Sequence, residues 1–263
     1  MKRKKIIKLL NRQYYSSISC LTSYSSSITS ILDGNIDVIL IGDSLGSTLY
    51  GFKNTRKVTL DMMKSHGHAV TKKIKSSLSI IDMPYKTYEN KRQALNNVNS
   101  LLKATKADLV KLEITKTKLP IIKYLSEKKI NLVAHIGVTP QSYENFGDIR
   151  AVGKTKEEQE KLHKLALDAE LAGAKAVLLE CVSESCAKKI TNSLKIPTIG
   201  IGASKYCDGQ VLVFDDLIKL NSNKAPKFVK VYADLFTRSQ KIVRKFNKEV
   251  KSGIFPGKKN TYK

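Results

Sequence analysis

Charged and polar side chains recur at the ends of apolar runs in this chain, and that placement is its first chemical signal. Asp43 and Ser44 close the run Val38-Ile39-Leu40-Ile41-Gly42. Asp82 closes Leu78-Ser79-Ile80-Ile81, and Glu180 closes Ala176-Val177-Leu178-Leu179. Lys111 and Glu113 share the run Leu109-Val110-Lys111-Leu112-Glu113, and His135 lies within Leu132-Val133-Ala134-His135-Ile136-Gly137. Taken alone, Asp43 and Ser44 read equally well as helix caps. Taken with the others they point to a site, because buried charge is costly unless paired or bound to a metal. Asp43, Asp82 and Glu113 offer only oxygen ligands. That set suits a hard cation, Mg2+ above all, with water or substrate oxygens filling the remaining positions. The alternative is that Asp43 and Asp82 cap turns while Glu113 pairs with Lys111.

Lys111 and Glu113 are two apart on one strand, so both side chains face the same way. Lys111 could anchor an anionic group or form a Schiff base. The adjacent carboxylates favour a charged anchor. Glu180 stands apart from the other carboxylates, and a carboxylate in a partly apolar wall suits a general base. Its alternative is a salt bridge to a loop lysine. His135 could donate a hydrogen bond to a substrate or be a satisfied core histidine. Gly200-Ile201-Gly202-Ala203-Ser204 lacks the third glycine of a dinucleotide fingerprint. Its small residues more simply let backbone approach a ligand.

These residues need elements to hold them. Strand-like runs are expected at 18–22, 38–42, 78–82, 109–113, 132–137, 176–181, 198–201 and 211–214. Helical patterns lie at 24–33, 59–76, 90–105, 118–129, 156–172, 185–193 and 226–247. Start and stop signals agree, with Thr59 before Asp61, Thr155 before Glu157 and Glu158, and Gly173 after a helical run. Eight strands separated by helices match a (β/α)8 TIM barrel, whose ligands bind at the carboxyl ends of the strands. A doubly wound open sheet is the alternative. No repeat or linker divides residues 1–263, so one barrel domain is expected. A basic, helical segment over 1–17 precedes it, and a C-terminal helix and tail over 226–263 follow. The basic start is a poor secretory signal, and a transit peptide would leave little room before the first strand.

Composition narrows the function classes. The chain has 263 residues, of which 41% are hydrophobic, enough for one large core. No apolar run approaches the roughly 20 residues of a membrane span. Four scattered cysteines without a CxxC pair argue against a zinc site or disulfide framework and suit a cytoplasmic location. The net charge of +24 could signal nucleic acid. However, the lysines are spread along the whole chain with no nucleic-acid-binding signature, so no specific nucleic-acid partner is expected.

In order along the chain, these motifs resemble the ketopantoate hydroxymethyltransferase family. The resemblance is carried by Gly42-Asp43-Ser44-Leu45-Gly46, Val58-Thr59-Leu60-Asp61-Met62-Met63, Asp82-Met83-Pro84-Tyr85, Val110-Lys111-Leu112-Glu113, His135-Ile136-Gly137-Val138-Thr139-Pro140-Gln141-Ser142 and Leu179-Glu180-Cys181-Val182. It continues through Ile196-Pro197-Thr198-Ile199-Gly200-Ile201-Gly202-Ala203 and Cys207-Asp208-Gly209-Gln210-Val211. It implies a TIM barrel of the phosphoenolpyruvate/pyruvate-binding type, assembled as a homo-oligomer, usually a decamer. It also implies one Mg2+ per subunit and 5,10-methylenetetrahydrofolate as one-carbon donor to 3-methyl-2-oxobutanoate, through a Mg2+-stabilised enolate. Carried over by residue, Asp43, Asp82 and Glu113 belong to the metal site, directly or through water. Asp43, Ser44, Asp82, Lys111 and His135 bind substrate, and Glu180 accepts the proton.

The chain departs from the family pattern at Gly147-Asp148-Ile149-Arg150-Ala151-Val152-Gly153, at Ser204 where a glycine is expected, and at Lys86 and Thr87, which replace smaller residues. The nearest rival is a Mg2+-dependent carbon–carbon lyase of the same barrel superfamily, disfavoured by the absence of its cysteine-containing loop motif. A rival from another class is a basic RNA-binding protein on an inactive barrel.

Overall fold

The structure is a computed structural model, and it describes residues 17–222 and 225–262. The helix expected over 1–17 lies, except for Ser17, outside the described residues. Eight parallel strands close into one barrel in chain order: β1 (Ile18–Thr22), β2 (Val38–Ile41), β3 (Leu78–Asp82), β4 (Leu109–Glu113), β5 (Leu132–Gly137), β6 (Ala176–Glu180), β7 (Thr198–Ile201) and β8 (Gly209–Leu212). The pairing of β1 with β8 completes the ring and excludes the open sheet. These runs form strands because they are rich in Val, Ile and Leu and are covered on both faces, as parallel sheets require.

Alternation along the strands builds the site. One parity faces the barrel interior, where Val38, Leu40, Leu78, Ile80, Leu178 and Ile199 belong to one buried cluster. Following the same parity toward the carboxyl ends reaches Asp82 on β3, Lys111 and Glu113 on β4, His135 on β5 and Glu180 on β6. Apolar layers therefore fill the lower barrel, and a charged layer caps them. The opposite parity, including Ile39, Ile81, Leu112 and Leu179, is buried on the outward face.

The connecting helices carry the expected caps. Thr59 accepts from Met62 N, Asn90 from Gln93 N, and Thr155 with Glu158 forms a capping box. Several boundaries differ from the sequence expectation, three of them for clear physical reasons. The helix expected over 59–76 spans Leu60–Thr71, since Lys75, Ser76 and Ser77 donate their backbone N–H groups to the Asp33 carboxylate instead. The last strand starts at Gly209 and ends at Leu212, two residues early. Gly209 packs so closely on Ile18 that a Cβ there would lie 2.6 Å from its Cβ, and a short helix takes over at Phe214. The tail helix starts at Leu235, not 226, and runs to Lys251, with Asp234 as its cap accepting from Thr237 N at 2.9 Å.

The chain forms two compact units, the barrel through Val213 and a second unit from Phe214. The second unit begins earlier than the tail expected from 226. All four cysteines are free. Among the described residues no helix is long and apolar enough to cross a membrane.

Candidate active site

Strand register places the charged layer. Asp82 lies opposite Lys111, Glu113 opposite His135, and Gly137 opposite Glu180. Gly137 has φ +99, and a Cβ there would press on the Glu180 carbonyl oxygen. Glycine thus lets β5 approach the end of β6 closely enough to fix Glu180 beside His135.

Lys111 Nζ sits 3.1 Å from Asp82 Oδ2, both groups buried. The expected Lys111–Glu113 alternative fails, because Lys111 reaches across the ladder rather than along its own strand. Lys111 Nζ also lies 3.2 Å from His135 Nδ1. An ammonium has only donors, so Nδ1 accepts and a neutral imidazole carries its proton on Nε2. Burial first, then the Lys111 charge, lowers the His135 pKa and keeps the ring neutral. Its Nε2 lies 3.3 Å from Glu180 Oε2, without the alignment of a hydrogen bond. His135 thus has Nδ1 bonded to Lys111 and Nε2 facing Glu180. Glu180 does not pair with a loop lysine among the described residues; its neighbour is this imidazole.

Burial alone would push the Lys111 pKa down, but Asp82, Asp43 and Glu113 outweigh it and hold the ammonium above its ordinary range. That keeps Lys111 charged, as an anchor requires, and opposes Schiff-base chemistry. The carboxylates answer in the other direction. Burial, then Asp82, pushes Asp43 up to about 7 against the pull of Lys111 and Gln141. Burial, then Asp43, holds Glu113 well above the usual carboxylate range.

The cap reading fails for Ser44, whose side chain makes no cap hydrogen bond. Its Oγ instead lies 2.7 Å from the Tyr24 hydroxyl oxygen. The Asp43 carboxylate accepts from Gln141 Nε2 at 2.8 Å, and Asp43 N donates to Asp82 Oδ2 at 3.1 Å. Sequence reasoning gave Gln141 no role, yet this buried residue ties four strand ends together. Its backbone N donates to both Glu113 oxygens, at 3.1 and 3.3 Å. Its amide also donates to Met83 O at 2.9 Å, and its Oε1 accepts from the Tyr88 hydroxyl at 2.6 Å. The signals available in the sequence were its place in the His135–Ser142 motif and its position after β5 at the carboxyl rim.

A cation fits part of this donor set. Asp82 Oδ1 is buried without a hydrogen-bond partner. Among the described residues no three acidic, imidazole or thiol groups converge closely enough to share one ion. The three expected carboxylates therefore form no ready three-point cage. A Mg2+ held by one or two carboxylates, with water and substrate oxygens completing its shell, matches the arrangement.

Two neighbouring features border the mouth. The 147–153 loop is pinned beside β6, where Val152 bridges Val182 and Val152 N donates to Cys181 O at 2.9 Å. Ser204, in place of the expected glycine, is buried and its Oγ accepts from Tyr206 N. On the opposite side, a pocket of about 340 Å³ opens between the loops that follow β2, β3, β4 and β5, and Glu113 and Gln141 form part of its lining.

A closed parallel barrel with its charged layer at the carboxyl rim defines a TIM-barrel enzyme. Solved structures agree on the fold. The 2,3-dimethylmalate lyase of the PEP mutase/isocitrate lyase superfamily superposes with TM-score 0.62 at 14% identity, covering 98% of this chain and 91% of the lyase. Phosphonopyruvate hydrolase in complex with oxalate and Mg2+ gives 0.59 at 11% identity over 99% of this chain and 93% of its own. The ketopantoate hydroxymethyltransferase family model matches residues 3–258. A 3-methyl-2-oxobutanoate hydroxymethyltransferase of Pelagibacter ubique (strain HTCC1062) is 46% identical over 259 residues, covering 98% of this chain and 99% of the relative. The chain belongs to the ketopantoate hydroxymethyltransferase family.

Proposed function

We propose that this enzyme transfers a hydroxymethyl group from 5,10-methylenetetrahydrofolate to 3-methyl-2-oxobutanoate, giving ketopantoate. The observation that carries the reading is the split charged layer. Buried Asp82, Lys111 and Glu113 on β3 and β4 and buried Asp43 just past β2 form one side, while Glu180 on β6 lies beside His135.

The keto acid presents a carboxylate and an adjacent ketone. Lys111 attracts the carboxylate, and Ser44 Oγ supplies a hydroxyl beside it. Asp43, Asp82 and Glu113 would hold Mg2+, which would supply Lewis-acid charge stabilisation next to those oxygens. Phosphonopyruvate hydrolase, of the same fold, binds Mg2+ with oxalate, whose paired oxygens resemble those of a 2-keto acid. Glu180 accepts the C3 proton, and the electron pair left behind makes C3 the nucleophile. The nearby Nε2–H of His135 places a donor beside the Glu180 carboxylate. C3 then bonds to the folate methylene carbon, the two carbon–nitrogen bonds to folate break, water provides the hydroxyl, and the proton held by Glu180 and the one left from water go to the two released folate nitrogens. Tetrahydrofolate leaves. We also propose a homo-oligomer, with the decamer as the expected size.

Glu180→Gln is expected to abolish C3–H exchange of the keto acid in deuterated buffer, measured by NMR, while Mg2+-dependent keto-acid binding persists. Normal exchange in that variant would remove Glu180 as the base.

A further inference from the structure

The pocket beside the carboxylates is not used by any step above. Three cationic side chains and two tyrosine rings line it: Arg56, Lys86 and Lys118 with Tyr85 and Tyr88. The Arg56 guanidinium carbon lies 4.9 Å from the Tyr85 ring centre, and Lys86 Nζ lies 5.4 Å from the same ring. Lys118 Nζ lies 5.3 Å from the Tyr88 ring centre. Arg56 is held by Gln141 O at 2.9 Å and Ser142 O at 3.3 Å, and Lys118 by Tyr88 O at 3.2 Å, so Lys86 is the least committed of the three. Arg56 pairs with Glu144 at 2.8 Å and Lys118 with Glu89 at 2.8 Å, but those two carboxylates are 81% and 54% exposed. Exposed ion pairs contribute little, so exchanging such a carboxylate for one from a ligand costs little. The Lys86 ammonium has no carboxylate partner among the described residues, and its backbone is held at φ +59 by the turn after β3.

Chemistry and size then narrow the occupant. Tyr88 is buried, which leaves the Tyr85 ring, flanked by Arg56 and Lys86, to meet a ligand, and such a face suits an aromatic ring that carries carboxylates. A volume of about 340 Å³ is near the lower end of small-molecule sites, roughly 300–1,000 Å³. It suits a part of a folate rather than the whole. Glu113 and Gln141 form the wall shared with the keto-acid site, so a ligand here lies next to the chemistry without occupying it.

We propose that this pocket is the subsite for the p-aminobenzoyl-glutamate tail of the one-carbon donor, with Lys86 receiving a glutamyl carboxylate. The inference rests on the folate-dependent function proposed above. The pterin end then lies over the barrel mouth, and the polyglutamate extension leaves past Lys86 and Lys118.

The probe is p-aminobenzoyl-triglutamate, which has no transferable carbon, titrated by calorimetry into the full-length protein. The wild type is expected to bind it, and the folate substrate to displace it. Lys86→Met should weaken binding about fivefold, the scale of one exposed charge-assisted contact, and Lys86→Arg should restore it. In turnover, Lys86→Met should raise KM for the folate with kcat little changed. Equal binding by wild type and Lys86→Met, failure of Lys86→Arg to restore it, or no displacement by folate would overturn the subsite. Absence of turnover in the wild type would instead remove the proposed reaction, and the calorimetric comparison would still decide the pocket.

Discussion

Asp43 shows how a single residue carries the tension of the site. Its carboxyl rises from an ordinary 3.8 to about 7 because burial and Asp82 outweigh Lys111 and Gln141. The folded protein therefore binds a proton that the unfolded chain has released over that interval. The stability this gives is present below about pH 4 and is lost as pH rises through about 7. In metal-free buffer, Asp43→Asn should unfold at a higher temperature than wild type at pH 8, by the equivalent of about 1–3 kcal/mol. The gap should narrow as pH falls toward 5, and adding Mg2+ should raise the wild-type midpoint alone. A gap that stays constant with pH in calorimetric melts would show Asp43 ionised and satisfied without a metal. The ionisable residues of this layer were legible in the sequence because charge at the end of a buried run has few structural uses. Gln141 was not, because a neutral amide carries no such cost signal and its role exists only through contacts from 28 to 98 residues away in sequence.

At the scale of elements, the barrel uses one clamp three times at the opposite end from the site. Ser19 N and Oγ both donate to Asp37 Oδ2 at 2.9 Å, joining β1 to the start of β2. Ser79 N and Oγ donate to Asp108 Oδ2 at 2.9 and 2.7 Å, joining β3 to the start of β4. Thr198 N and Oγ1 donate to Asp208 Oδ2 at 2.8 and 3.0 Å, joining β7 to the start of β8. In each pair the aspartate N–H returns a bond to the hydroxyl. Each clamp fixes register at the amino end, and register is what sets Lys111 opposite Asp82 at the carboxyl end. Asp108→Ala leaves the Ser79 N–H without its acceptor. It should destabilise the fold by about 1–3 kcal/mol in denaturant melts, while kcat of the folded fraction stays near wild type because the site lies at the other end of β4. A large fall in kcat with unchanged stability would show that the clamp instead serves the site. The strands themselves were legible, most of them to the residue, because unbroken apolar runs bounded by polar ends admit little else at that length. The tail helix was misplaced because Phe228, Val229, Val231 and Tyr232 extend the apolar pattern upstream, whereas the cap at Asp234 decides where the helix starts.

At the scale of the whole molecule, charge and apolar surface oppose each other. The chain carries +24, yet the helix Leu235–Lys251 exposes Ile242, Val243, Phe246 and Val250 at 45–63%. These residues recur at helical spacing on one stripe, with Lys241, Arg244, Lys245 and Lys248 around them. An exposed apolar stripe of this kind suits contact with a second copy, and like charge on every copy resists that contact. The two effects respond differently to salt. Screening shortens the reach of repulsion to about 8 Å at physiological ionic strength and leaves the apolar contribution in place. Light scattering should therefore show a homo-oligomer that becomes more complete as NaCl rises from about 50 to about 300 mM, and Phe246→Glu should shift it to smaller species. Binding of nucleic acid by the same lysines would show the opposite trend, weakening steeply over that range as counterions are no longer released to advantage. An assembly of unchanged size in Phe246→Glu would move the contact away from the tail helix. Assembly that weakens with salt while RNA binding is tight would favour the nucleic-acid role that the dispersed lysines argue against.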